Sequence, residues 1–105
     1  MVYKIIWTQK AVQSYARNMQ YLHEEWPLNV TLKFIGLLKS KLELLTRHPY
    51  IGSARNKKDN NLRFTVLHKR VVLVYRVKVR KKQIELLLFW NTYHNPGKLQ
   101  ISASM

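Results

Sequence analysis

The sequence has no cysteine, which excludes a disulfide scaffold, a thiolate metal site and a cysteine nucleophile. Acidic residues are few: five Asp and Glu stand against 19 Lys and Arg, leaving a net charge of +14. There are only three glycines, and they form no phosphate-binding loop. No apolar run reaches the length of about 18 residues that a membrane-spanning helix needs, so no membrane association is expected.

The acids and histidines are too scattered for a metal site. Glu24 and Glu25 are adjacent and therefore point to different sides of a helix. The other acids, Glu43, Asp59 and Glu85, fall on three different predicted elements. Because a metal-dependent nuclease needs clustered carboxylates, the sequence predicts neither a metal ion nor a cofactor.

Length and charge describe one small basic domain. The 105 residues and an apolar fraction of 47% predict a single globular domain over residues 1–99, with a loose tail over 100–105. Residues 1–52 carry a net +4 and residues 53–105 a net +10. Such a field favours a polyanion or an acidic protein as partner. Lys4 interrupts the first apolar stretch, so no signal peptide is predicted and the cytoplasm is the expected compartment.

The first half of the chain predicts a strand and a helical hairpin. Residues 1–7 are β-branched and aromatic, and Thr8 stands at a helix N-cap position. Helical spacing follows over residues 9–25 and 28–47, with a stop signal at 48–52. The expected apolar stripes are Val12, Tyr15, Ala16, Met19, Leu22 and Trp26 in the first helix, and Ile35, Leu38, Leu42 and Leu45, widened by Phe34 and Leu37, in the second.

The second half predicts a basic loop and a meander. Residues 53–61 are polar and are expected to form a loop. The hydrophobic period then changes to 2, which predicts three strands at residues 62–67, 71–79 and 83–90. The apolar face expected for the last strand is Ile84, Leu86, Leu88 and Trp90. The fold class is therefore α+β, a helical hairpin packed on a small antiparallel sheet in the order β-α-α-β-β-β.

Basic side chains are the main candidates for binding. The residues expected to contact a nucleic acid or another target are Arg55, Lys57, Lys58, Arg63, Lys69, Arg70 and Lys78. Arg63 and Arg76 each interrupt a mostly apolar strand, which is consistent either with function or with a solvated strand face.

Tyr93 and His94 form a second candidate cluster, next to the end of the last strand. In RNA cleavage the 2′-hydroxyl attacks its own phosphate, so a protein need only move protons and stabilise charge. A basic groove with His94 suits that chemistry. Packing of Tyr93 against the core, with His94 exposed, is the structural alternative.

Four segments, taken in order, resemble the RelE/ParE superfamily of toxins from bacterial type II toxin–antitoxin systems. They are Thr8 and Ala11 after the first strand; Leu44 to Gly52, similar to a recurring leucine, proline and glycine pattern; Leu62-Arg63-Phe64 with Val74-Tyr75-Arg76-Val77; and Ile84 to Trp90 followed by Asn91 to Pro96. The resemblance implies a toxin neutralised by a small acidic antitoxin protein.

The resemblance leaves the target open between two branches. ParE-type members act on DNA gyrase, and the long hairpin with Pro49 and Gly52 is similar to them. RelE-type members bind the ribosome and cut mRNA, and for them the resemblance implies Arg63, Arg76, Tyr93 and His94 as catalytic residues. Whether the chain is an enzyme depends on the branch. We favour the gyrase branch, with the ribonuclease as the alternative and an inert basic nucleic-acid-binding module or a decayed toxin as a third.

Overall fold

The computed structural model describes residues 2–56, 58–68 and 71–91, with the backbone alone for 55 and 56. The elements are β1 (Lys4–Trp7), α1 (Gln9–Glu25), α2 (Leu28–Arg47), β2 (Ser53–Asn56), β3 (Asp59–His68), β4 (Val71–Lys78) and β5 (Gln83–Asn91). The α+β fold is confirmed, and both helices begin and end at the predicted residues. The predicted tail, 100–105, lies outside the described residues.

The sheet has five strands in the order β1-β5-β4-β3-β2 and is mixed. β1 runs parallel to β5, and the other three pairings are antiparallel. Two expectations are therefore corrected. The sheet is not wholly antiparallel, and residues 53–61 are not simply a loop, because Ser53–Asn56 forms the edge strand β2. An edge strand pairs through its backbone, so its polar side chains gave no strand signal.

Thr8 joins β1 to α1. Its hydroxyl oxygen accepts a hydrogen bond from the Ala11 N–H (3.1 Å), as an N-cap does, and its hydroxyl donates to the Leu86 carbonyl of β5 (2.7 Å). The bond to Leu86 thereby fixes the start of α1 to β5, the strand with which β1 pairs. Pro27 alone follows Trp26 before α2 begins, and it supplies no side-chain cap.

The buried stripe of α1 differs from the predicted one. Ala11, Ser14, Asn18 and Leu22 are buried, whereas Val12 is 51% exposed. The helix is rotated toward its polar residues because Ser14 and Asn18 bond to the backbone of β5. In α2 the predicted burial is observed for Phe34, Leu38 and Leu45. Leu37, however, is 45% exposed, and Thr31, which was not predicted, is buried. No described helix has the length and apolarity needed to cross a membrane.

A β-bulge in β5 shifts the alternation of its side chains, so its last residues face the opposite side of the sheet from the predicted one. Tyr75 pairs with Leu86 and Val74 with Leu88, which leaves Leu87 as an extra residue. Ile84 and Leu86 face the helices as predicted. After the bulge it is Phe89 that packs in the helix-facing core, while Leu88 packs beside a smaller apolar cluster of Leu62, Val74 and Leu87 on the other face. The predicted single apolar face of β5 is therefore wrong beyond Leu86.

The segment after α2 is fastened to the sheet by a buried tyrosine. The Tyr75 hydroxyl donates to the Pro49 carbonyl (2.8 Å) and accepts from the Gly52 N–H (3.0 Å). A Cβ at Gly52 would lie 2.6 Å from the Phe64 carbonyl oxygen and 2.7 Å from the Tyr75 hydroxyl. Only glycine lets the backbone come this close, which explains why Gly52 follows Pro49 at this spacing.

We expect Gly52→Ala to lower the free energy of unfolding by about 1–3 kcal/mol, because its methyl group meets the fixed backbone of β3. Gly36→Ala is the matched control. Its Cβ would have no atom within 4 Å, and alanine raises helix propensity by up to about 1 kcal/mol. Urea unfolding of the two variants measures both effects. Equal stability of the two variants would contradict the role given to Gly52.

Candidate functional site

The two predicted strand arginines occupy opposite faces of the sheet. Arg63 of β3 pairs with Tyr75, whose side chain lies in the helix-facing core. Arg76 of β4 pairs with Leu62, which belongs to the cluster on the other face. Successive strand residues alternate between faces, so the structure does not bring Arg63 and Arg76 into one pocket.

Arg63 holds the segment that follows α2. Its Nη1 donates to the Tyr50 carbonyl (2.9 Å) and to the Gly52 carbonyl, and its Nε and Nη2 donate to the carbonyl and side-chain oxygens of Asn60 (2.9 and 2.8 Å). Four of its roughly five N–H donors are thus occupied within the fold. Its guanidinium carbon also lies 4.8 Å from the Tyr50 ring centroid. This arrangement gives Arg63 a structural role.

Two further cations of the predicted site form ion pairs. Arg76 Nη1 lies 2.8 Å from Asp59 Oδ2, and Lys78 Nζ lies 3.5 Å from Glu85 Oε2. The hydrogen bond from Arg76 holds the pKa of Asp59 below its usual range. Arg76 and Lys78 share one face of β4, and each is partly neutralised by an acid on a neighbouring strand.

Burial keeps the Tyr75 hydroxyl protonated. Tyr75 is fully buried, and burial raises the pKa of its hydroxyl against the opposing effects of the Gly52 N–H and Arg63. Its proton therefore stays available for the Pro49 carbonyl.

The other predicted residues stay predictions. Lys58 is exposed in the turn between β2 and β3. Arg55 belongs to β2 by its backbone, and its side chain is not described. Outside the described residues lie Lys57, Lys69, Arg70, Tyr93 and His94.

A polar contact between α1 and β5 was not predicted. β1 pairs with β5 only as far as Leu86, whereas β5 continues to Asn91. Beyond β1, the Phe89 N–H donates to Ser14 Oγ and the Phe89 carbonyl accepts from Asn18 Nδ2, both at 2.9 Å. At Phe89 the helix thus satisfies a strand edge that has no neighbouring strand among the described residues, and it blocks strand addition there.

A cleft of about 230 Å³ lies beside this contact. Its lining comes from α1 and from the end of β5: Ser14, Arg17, Asn18, Tyr21, Leu88, Phe89, Trp90 and Asn91. The signal in the sequence was Ser14 and Asn18, two polar residues on one helix face next to an apolar stripe. Within the described residues, no three His, Asp or Glu side chains gather as metal ligands would.

We expect Arg63→Gln to lower the free energy of unfolding by about 1–3 kcal/mol, because three backbone carbonyls lose a charged donor. Arg47→Gln is the control, since Arg47 is exposed and its contact with Glu43 is 3.7 Å long. That variant should change stability by less than about 0.5 kcal/mol. Wild-type stability of Arg63→Gln would contradict the structural role.

The Asp59–Arg76 pair predicts a pH-dependent contribution to stability. Because the pKa of Asp59 is lower in the folded chain, its contribution is present above the unfolded pKa and is lost as pH falls through the folded value. Both side chains are partly exposed, so the expected loss in Asp59→Asn is below about 1 kcal/mol near neutral pH. The difference from wild type should shrink below about pH 4. Thermal unfolding across this range, with Glu43→Gln as control, measures it; a difference independent of pH would contradict the pairing.

Comparisons with known proteins identify the family. A family model described as the ParE toxin of the type II toxin–antitoxin system, parDE, matches residues 5–94. No curated protein sequence matches the chain.

Two solved structures share the fold. The toxin–antitoxin complex RelBE2 from Mycobacterium tuberculosis has a chain with 15% identity and a TM-score of 0.59, over 87% of this chain and 99% of that one. A mutant of the E. coli toxin RelE in the free state has 16% identity and a TM-score of 0.60, over 91% of this chain and 90% of that one. The resemblance to the RelE/ParE superfamily is confirmed. Because the family match spans both helices and all five strands except Lys4, the first residue of β1, the chain belongs to the ParE toxin family of type II toxin–antitoxin systems.

Proposed function

We propose that this toxin arrests growth by inhibiting DNA gyrase, and that it acts in the cytoplasm. The observation that carries the proposal is the match of residues 5–94 to the ParE toxin family. The long hairpin of α1 and α2, which ends at the Pro49–Gly52 segment, supports the same branch.

The geometry of the arginines also supports gyrase over RNA cleavage. A ribonuclease of the RelE type would use the strand arginines to stabilise charge on a phosphate. Arg63 instead donates to Tyr50, Gly52 and Asn60, and Arg76 lies on the opposite face beside Asp59. Inhibition by binding requires no such convergence of catalytic groups.

An acidic antitoxin is the expected second partner. The chain has a net charge of +14, and its acids Asp59 and Glu85 are already paired with cations of the fold. An acidic segment that orders on binding would neutralise the excess positive charge of the chain. Complementary charge also accelerates association and disfavours competing partners.

The test compares the two targets in purified systems. We expect the toxin to inhibit supercoiling of a relaxed plasmid by gyrase, and to leave mRNA on ribosomes intact. In cells, thymidine incorporation should fall within minutes of induction, before amino-acid incorporation.

The control is the chain itself after thermal unfolding, which keeps the +14 charge and loses the folded surface. Equal inhibition by the unfolded chain would reduce the effect to charge. Cleaved mRNA with unaffected supercoiling would overturn the proposal in favour of the ribonuclease. If neither activity is found, the chain is an inert basic module or a decayed toxin.

A further inference from the structure

Four basic side chains meet at one corner of the sheet, where β1 begins and where β4 turns into β5. The turn contributes Arg80, Lys81 and Lys82, all of them exposed, and β1 contributes the exposed Lys4. The Lys4 N–H donates to the Lys82 carbonyl (2.9 Å), so a backbone hydrogen bond joins residues that are far apart in the sequence. We call these four residues the basic corner.

The register of the strands shows which face of the sheet Lys4 occupies. Lys4 and Lys78 both pair with Gln83, from opposite sides of β5, so the three residues form one row across the sheet. Ile5 and Val77, their neighbours along the chain, pack in the helix-facing core. Because successive strand residues alternate between faces, the row lies on the face away from the helices, and the basic corner borders that face.

Little in the fold neutralises the basic corner. Among the described residues, the side chains of Lys4, Arg80 and Lys81 form no ion pair or hydrogen bond. Glu85, the acid that follows Gln83 on β5, already has its carboxylate 3.5 Å from the Lys78 ammonium. The corner therefore presents its positive charge to solvent.

Lys82 adopts a backbone conformation that favours glycine. Its φ is 54°, and within the described residues no other residue except glycine is found in this region. Its N–H closes the turn by donating to the Val79 carbonyl (3.2 Å). Glycine is the default residue at such a position, because a Cβ crowds the backbone there. A lysine held against this preference indicates that its charge has a use.

We propose that the basic corner binds the phosphate backbone of duplex DNA, through Lys4 and the turn Arg80 to Lys82. The inference goes beyond the proposed action on gyrase, because it assigns to the toxin itself a direct contact with DNA.

The chemistry of the basic corner fits a phosphate backbone. Phosphate contacts need cations and N–H donors, and these are what the corner offers. Protein interfaces have an apolar centre, whereas Val79, 47% exposed, is the one apolar residue of the turn. The two sheet rows that border the corner on this face contain no aromatic side chain on which an unpaired base would stack. These features favour a backbone contact over an acidic protein or a single strand.

The spread of the charges also suits a duplex. The corner reaches from β1 across β5 to the end of β4, which is two strand spacings or about 10 Å. Duplex DNA carries one negative charge per about 1.7 Å of its axis, so several phosphates fall within this distance. Contacts of this kind carry no sequence information, and we expect binding without sequence preference.

The first test measures affinity for a short labelled DNA duplex by fluorescence anisotropy, at salt concentrations between about 50 and 200 mM. Each phosphate contact adds about 0.9 to the slope of log affinity against log salt concentration. The double variant Arg80→Gln, Lys81→Gln should therefore reduce the slope by about 1.8 and weaken binding about tenfold.

The matched control is the double variant Lys33→Gln, Lys39→Gln. It removes the same charge from exposed positions of α2, which packs on the opposite face of the sheet. We expect the slope to change by less than about 0.5 and the affinity by less than about threefold. Equal effects of the two double variants would show a response to net charge alone and overturn the proposal.

Lys82→Gly separates the charge of Lys82 from its backbone conformation. Glycine adopts a φ of 54° without strain, so the melting temperature should change little or rise. The affinity for the duplex should nevertheless fall about threefold, because one cation at the phosphate backbone is lost. Wild-type affinity of this variant would overturn the proposed contact at Lys82.

Competition distinguishes duplex DNA from other polyanions. Unlabelled duplex, the single strand of the same sequence and poly-L-glutamate compete with the labelled duplex at equal concentrations of charge. We expect the duplex to compete most strongly. Equal competition by poly-L-glutamate would favour an acidic polypeptide as partner and overturn the proposal, and so would equal competition by the single strand. Because none of these measurements contains gyrase, their failure is distinguishable from failure of the proposed function.

Discussion

The buried hydroxyl of Tyr75 is the contact on which the joining of the two layers depends. It lies in the middle strand of the sheet and bonds to both Pro49 and Gly52, so it fixes the chain at the point where α2 leaves the helical layer and β2 begins. Arg63 then donates to the Tyr50 and Gly52 carbonyls of the same segment. The helix itself is held by Phe34, Leu38 and Leu45 in the core, and its last turn also accepts a hydrogen bond at the Thr46 carbonyl from the Tyr3 N–H (2.8 Å). The glycine at position 52 is thus required by the close approach of Tyr75 and of the Phe64 carbonyl.

The contacts of Arg63 within this segment also bear on whether the basic residues are available to bind phosphate. A strand arginine in a chain of net charge +14 invites a reading as a phosphate ligand. The guanidinium of Arg63 already donates to three backbone carbonyls, however. A phosphate that bound Arg63 would have to replace these hydrogen bonds, which would lower the stability of the fold. Arg76 and Lys78 are likewise paired with two of the five acids. The charge that remains for partners lies on side chains without such contacts, of which Arg17 is one.

Sequence patterns predicted the elements better than they predicted their faces. The cap at Thr8, the break at Pro27 and the stop signal at 48–52 predicted where both helices begin and end, because these signals are local. β2 was missed because its short sequence is mostly polar and shows no alternation of apolar residues. The change of face in β5 was missed because a bulge at Leu87 leaves no mark in an apolar run. The parallel pairing of β1 with β5 joins residues about eighty positions apart, which no local pattern encodes. For the candidate site, charge singled out the basic residues, but the partners of Arg63, Arg76 and Lys78 inside the fold come from tertiary contacts that no local pattern shows.

The edge of β5 that β1 leaves uncovered explains the polar residues of α1. A sheet whose outermost strand is shorter than its neighbour leaves part of the neighbour's edge open, and such an edge is prone to pair with another chain. Here β1 stops beside Leu86, and α1 covers the open edge at Phe89 with Ser14 and Asn18. The cleft lies beside this covered edge, and Ser14 and Asn18 belong to its lining. The two polar residues that break the apolar pattern of α1 therefore have a cause in the sheet: they satisfy the backbone of β5 where β1 no longer does.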